Sequence, residues 1–92
     1  MQTIKELIAE LRESNPAPAN RGNDPIVGDV VSLDYHGSPR QGVVAKVFGD
    51  DLLLRHTDNA SKYRDENDRP KAFSRYNTDK TSNLVIIDRH TS

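Results

Sequence analysis

The chain has 92 residues, 34% of them apolar, with three Tyr, two Phe, no Trp and a net charge of −1 from thirteen Lys and Arg against fourteen Asp and Glu. That length supports one small domain with a modest core and excludes a large apolar pocket, so no buried cofactor is expected. The charge balance excludes a global pull toward nucleic acid or anionic lipid, and the absence of cysteine excludes a disulfide framework, a thiolate nucleophile and a Cys-based zinc site, a composition that fits the cytoplasm.

Residues 1–15 read as an amphipathic helix. Thr3 and Glu6 have the spacing of a capping box, in which the Thr3 hydroxyl accepts from the Glu6 amide and the Glu6 carboxylate reaches the Thr3 amide. Ile4, Leu7, Ile8 and Leu11 recur at i, i+3, i+4 and i+7, one apolar stripe among charged neighbours. Three turns are marginal alone in water, so the stripe is expected to be covered, by the rest of this chain, by a second copy or by a groove on another protein. The stretch alternates charge with apolar residues and is neither a signal peptide nor a membrane span. Asn15-Pro16 ends it, because a residue before proline disfavours the helical region.

Residues 16–25 carry three of the five prolines without periodicity and read as a linker to a β domain over 26–92. Val31, Leu33 and Tyr35 alternate with Ser32, Asp34 and His36, the period of a half-buried strand. Gln41 to Phe48 is a second strand with Gly42 as its expected bulge, and Gly49-Asp50 turns the chain into a third, Leu52 to His56. Thr57 to Ala72 has no apolar periodicity; a loop this long in a small domain is functional or disordered. Phe73 to Asn77 reads as a fourth strand, Thr78 to Asn83 as a turn or a single 3₁₀ turn, and Leu84 to Ile87 as a short fifth strand. Four or five short strands with no βαβ alternation predict a mainly β chain: a small SH3-like antiparallel barrel with one N-terminal α-helix.

The runs Val31-Ser32-Leu33-Asp34-Tyr35-His36-Gly37, Gly42 to Val47, Asp51-Leu52-Leu53-Leu54 and Arg75 to Leu84 together resemble the layout of WYL domains, SH3-like modules of bacterial regulators and of CRISPR-associated and phage-encoded proteins. Arg75, Tyr76, Asp79 and Lys80 match the family's closing motif in order and type. Thr81 stands where that motif has an aliphatic residue, and Leu52-Leu53-Leu54 where the family has Trp-Tyr-Leu. The resemblance, over Val30 to Ile87, implies a regulatory barrel that binds nucleic acid or a nucleotide-like ligand, with Arg75 and Lys80 as the carried-over positions.

No segment carries a catalytic or metal-binding signature, and the chain is read as a non-enzymatic binding module. His36, His56 and His90 lie far apart with no ligand spacing. Asp65, Glu66 and Asp68 lack the glycine and terminal glutamate of a calcium loop, and Asp50-Asp51 is hairpin chemistry. Between Lys62 and Lys80, six basic residues face four acidic ones with Tyr63 and Tyr76 among them, and stacking rings beside cations are what nucleic acid requires. The plainer reading of that stretch is a solvated loop with weak local ion pairs. The candidate nucleic-acid-binding residues are Arg55, Lys71, Arg75, Tyr76 and Lys80. The alternative is a protein-binding adaptor or inhibitor acting through Ile4, Leu7, Ile8 and Leu11. A methyl-lysine reader fits less well, because its cage needs clustered aromatics.

Overall fold

Alternation of apolar and polar residues over short runs builds five antiparallel strands in the computed structural model, which describes residues 2–57 and 63–91. Helix α1 (Ile4–Ser14) is followed by β1 (Val30–Tyr35), β2 (Ser38–Phe48), β3 (Asp51–His56), β4 (Phe73–Asn77) and β5 (Thr81–Asp88). They form one sheet in the order β4-β3-β2-β1-β5. No described helix is long and apolar enough to cross a membrane.

The core occupies one face of this sheet. Val31 and Leu33 of β1, Val44 of β2, Leu52 and Leu54 of β3 and Tyr76 of β4 are buried together, with Val27, Tyr35, Leu84 and Ile86 packed against them. Among the described residues no helix or second sheet is layered on that face, and the sheet covers it by curling. The measure of the curl is Tyr35 against Tyr76: β1 and β4 are three ladders apart, about 14 Å in a flat sheet, yet the two ring centroids lie 5.3 Å apart.

The expected closed barrel is not what forms. The sheet stays open, with no ladder between β4 and β5 among the described residues. The Asn77 side chain, at the end of β4, accepts from the Asp79 amide at 2.9 Å and diverts the chain into a 3₁₀ turn over Thr78–Lys80. Strand β5 then joins β1 instead. It is longer than its apolar run, starting at Thr81, and its pairing is irregular between Ser32 and Asp34, where Asn83 takes a φ of 53°.

The β2 bulge also differs from expectation. It falls at Ala45, between the pairs Val44↔Leu54 and Lys46↔Leu53, just after the two buried residues Val43 and Val44. Gly42 pairs regularly with Val31 and His56. Its lack of a side chain serves close approach: a Cβ there would lie 2.6 Å from the Arg55 carbonyl oxygen.

Helix α1 starts as its sequence indicates, with the Thr3 hydroxyl accepting from the Glu6 amide at 3.1 Å, but the Glu6 carboxylate takes the Thr3 hydroxyl proton rather than the backbone amide. Its C-terminal end is held by polar contacts. Arg12 Nε donates to the Gly28 carbonyl at 2.9 Å, Arg12 pairs with Asp88 at 3.3 Å, and the His90 ring Nε2 meets the Asn15 carbonyl at 2.8 Å. Gly28, at φ 101°, is where these groups converge, and a Cβ on it would come within 2.9 Å of Arg12 Cγ. The apolar stripe itself is only half covered: Ile4, Leu7, Ile8 and Leu11 are all of intermediate exposure.

Behind β1 lies a buried ion pair. Arg21 and Asp29, with side chains 6% and 0% exposed, meet as a two-pronged fork at 2.7 Å on each prong. Asp29 also accepts from the amides of Ile26 and His90, while Arg21 donates to the carbonyls of Asp24 and His90. Burial works against the Asp29 charge, but the Arg21 guanidinium and the two amides outweigh it and hold the carboxyl below its ordinary range. The same hydrogen bond raises Arg21 further. One node thus binds the 16–25 stretch, the start of β1 and the C-terminal segment.

Candidate nucleic-acid interface

At the far end of β1 the local chemistry is reversed. Tyr35 ends the strand, and a two-residue turn follows in which His36 and Gly37 both take positive φ, 50° and 79°, the geometry that matches the twist of a hairpin. The returning strand sets Arg40 opposite Leu33 and close to Tyr35.

The segment after β3, expected to be a functional or a disordered loop, folds from Tyr63 to Lys71 into a small arm. Asp65 organises it: its side chain accepts from the amides of Asn67 and Arg69 at 2.8 and 3.0 Å, an Asx turn. Arg64 bridges Pro70, and the Lys71 amide donates to the Tyr63 carbonyl at 2.8 Å. The arm presses Tyr63 flat onto His56 of β3, with centroids 3.7 Å apart and planes 9° apart. The Arg40 guanidinium lies over the same ring at 4.9 Å. His56 is buried and its Nε2 lies 2.8 Å from Ser74 Oγ on β4.

Arm and sheet enclose an open cleft of about 300 Å³. Tyr35, Arg40, Ser74, Arg75 and Tyr76 line it from the sheet, and Tyr63, Arg64 and Lys71 from the arm. Four of these eight residues are cationic and none is acidic. Two of the cations are partly compensated from outside the cleft. Arg75 Nε donates to Asp51 at 2.6 Å and its guanidinium lies over Phe48, while Arg64 reaches Asp68 at 3.9 Å with both side chains largely exposed. Hydrogen bonds from Asn77 and Arg75 hold the Asp51 carboxyl below its ordinary range. Arg40 and Lys71 have no ion-pair partner among the described residues.

Of the five residues proposed from sequence, Lys71, Arg75 and Tyr76 border this cleft, Arg75 with its guanidinium held on Asp51 and Phe48. Arg55 alternates with the inward Leu54 and His56, lies over Phe73 at 5.9 Å and faces the opposite side of the sheet. Lys80 is at the end of the 3₁₀ turn and does not line the cleft. Lys62 lies outside the described residues. Tyr76, 5% exposed, is a core side chain rather than an open stacking surface. Sequence reasoning missed Tyr35, Arg40, Tyr63, Arg64 and Ser74 as a group. For Tyr35 the signal was present, since it continues the inward alternation of Val31 and Leu33.

The helix residues Ile4 and Ile8, with Lys5, Ala9, Arg12 and Asp88, border a separate groove of about 510 Å³. Among the described residues, no group of three His, Asp or Glu side chains is arranged to hold a metal ion. Set against protein-family profiles, characterised proteins and solved structures, the chain gives no match.

Proposed function

We propose that this chain is a non-enzymatic binding module that takes nucleic acid in the cleft between the Tyr63–Lys71 arm and the sheet. The observation that carries this reading is a cleft bordered by Arg40, Arg64, Lys71 and Arg75 and by no acidic residue among the described residues, in a chain whose net charge is −1. A binding surface for a methylated lysine would need the same rings without the cations, so the rings clustered here favour an anionic partner. Of the two positions that the WYL resemblance carries over, only Arg75 borders the cleft; the reading therefore rests on the cleft and not on the resemblance. Binding of oligonucleotides must weaken with added salt, because phosphate contacts release counterions. Affinity that is absent, or that does not change with salt, removes the proposal.

A second reading, a protein contact through α1, is supported by the half-covered stripe and the groove beside Ile4 and Ile8. The double variant Ile4→Ser, Ile8→Ser tests it. Loss of a protein partner that the unaltered chain retains supports the contact, and unchanged retention removes it.

A further inference from the structure

We infer that the cleft holds an unpaired nucleotide, with its base against Tyr35 and its phosphates on Arg40 and Lys71, and so selects single strands over duplex; this rests on the nucleic-acid reading above. The rings of the cleft are not equivalent. Tyr63 is stacked on His56 at 3.7 Å and carries the Arg40 guanidinium at 4.9 Å, and Tyr76 is buried in the core. Tyr35 is half-exposed, and its ring neighbours Tyr76 and His36 stand at 67° and 66° to it, so no described ring lies flat on it. It is the one tyrosine of the cleft left to receive a base.

The cations nearest in role are the two without ion-pair partners. Arg40 comes from the sheet, its guanidinium fixed in place by the Tyr63 ring, and Lys71 from the arm, so a phosphate between them is contacted from both walls. A space of about 300 Å³ suits a nucleotide unit rather than a longer folded ligand. Bases inside a duplex are stacked on both faces and present only their edges, so a duplex has no base face to give Tyr35. A single strand does.

The test is fluorescence anisotropy on the full chain with three probes: a short oligothymidylate, a blunt duplex of the same length, and inorganic pyrophosphate as competitor. The oligothymidylate is expected to bind roughly tenfold or more tighter than the duplex. Tyr35→Leu, which keeps apolar bulk against Tyr76, should weaken the strand by roughly fivefold or more while leaving pyrophosphate competition unchanged, and Tyr35→Phe should retain strand binding. Lys71→Ala should weaken both the strand and pyrophosphate. Duplex binding equal to or tighter than the strand overturns this inference while leaving the nucleic-acid reading intact. A strand affinity insensitive to Tyr35→Leu, in a variant whose circular dichroism matches the unaltered chain, also overturns it. Should Tyr35→Leu fail to fold, the strand-to-duplex ratio of the unaltered chain decides alone. No binding of any probe removes both readings.

Discussion

The two ends of β1 use the same residue types to opposite purpose. At its start, Arg21 and Asp29 are buried and every oxygen of the carboxylate is occupied. About 20 Å away at its end, Arg40 and Lys71 line an open cleft with no acidic residue among its described lining residues. A charge that is paired and desolvated can only hold the chain together; a charge left uncompensated at a concave surface can hold something else. The difference separates structural from binding electrostatics in a chain whose overall charge balance reveals neither.

The largest expected effect comes from breaking the buried end. Asp29→Ala leaves the Arg21 guanidinium buried without its partner and should cost about 3–5 kcal/mol, read as a lowered midpoint in urea denaturation. Ligand binding at the cleft by the folded fraction should be unchanged. Acid should reach the same node. The Asp29 carboxyl is held below its ordinary value, so its contribution is present above the unfolded-state value of about 3.9 and is lost as pH falls through the folded-state value. Stability should therefore decline below about pH 4, and Asp29→Asn should shrink that decline, as checked by denaturation at stepped pH.

Next in size is Gly42→Ala. The added methyl would meet the Arg55 carbonyl at 2.6 Å, backbone against side chain with little room to yield, and should destabilise by about 1–3 kcal/mol. Smallest in stability, and most informative at the open end, is Lys71→Ala. It should leave the denaturation midpoint within about 0.5 kcal/mol, yet weaken oligonucleotide binding and reduce the salt slope by about one. Node variants that altered the cleft affinity, or cleft variants that unfolded the chain, would erase the distinction between the two ends.

Much of the fold was legible because it follows local rules. The Thr3 cap and the stripe from Ile4 to Leu11 mark α1, alternation marks β1, and a short run with flanking turn residues marks β3, while β4 falls on the run Phe73 to Asn77 as read. Strand β5 was read short because Thr81 to Asn83 are polar, although backbone pairing with β1 does not require apolar side chains. The node was not legible. It joins Arg21, Asp29 and His90, and two of those contacts span more than sixty residues of chain, so no local pattern announces it. Closure failed to follow from strand count because Asn77 caps a 3₁₀ turn at the point where β4 would have met β5.

The candidate site was half legible for similar reasons. Composition drew attention to the arm and β4, where Lys71, Arg75 and Tyr76 do border the cleft. Parity along β3 places Arg55 outward, alternate to Leu54 and His56, and would have removed it. Arg40 enters from a different hairpin, and only the curl of the sheet and the Asp65 turn bring it over Tyr63. The turn-forming composition of Asp65-Glu66-Asn67-Asp68 was available as a signal for that arm.

The most direct measurement is a heteronuclear NMR titration of the labelled chain with a short single-stranded oligonucleotide, at low and then at moderate salt. The account predicts shifts at Arg40, Tyr63, Lys71 and Ser74 that reverse as salt is added, with Arg21, Asp29 and His90 unmoved. Shifts centred on Ile4 and Ile8 or on the buried node, or none at either salt concentration, would contradict it.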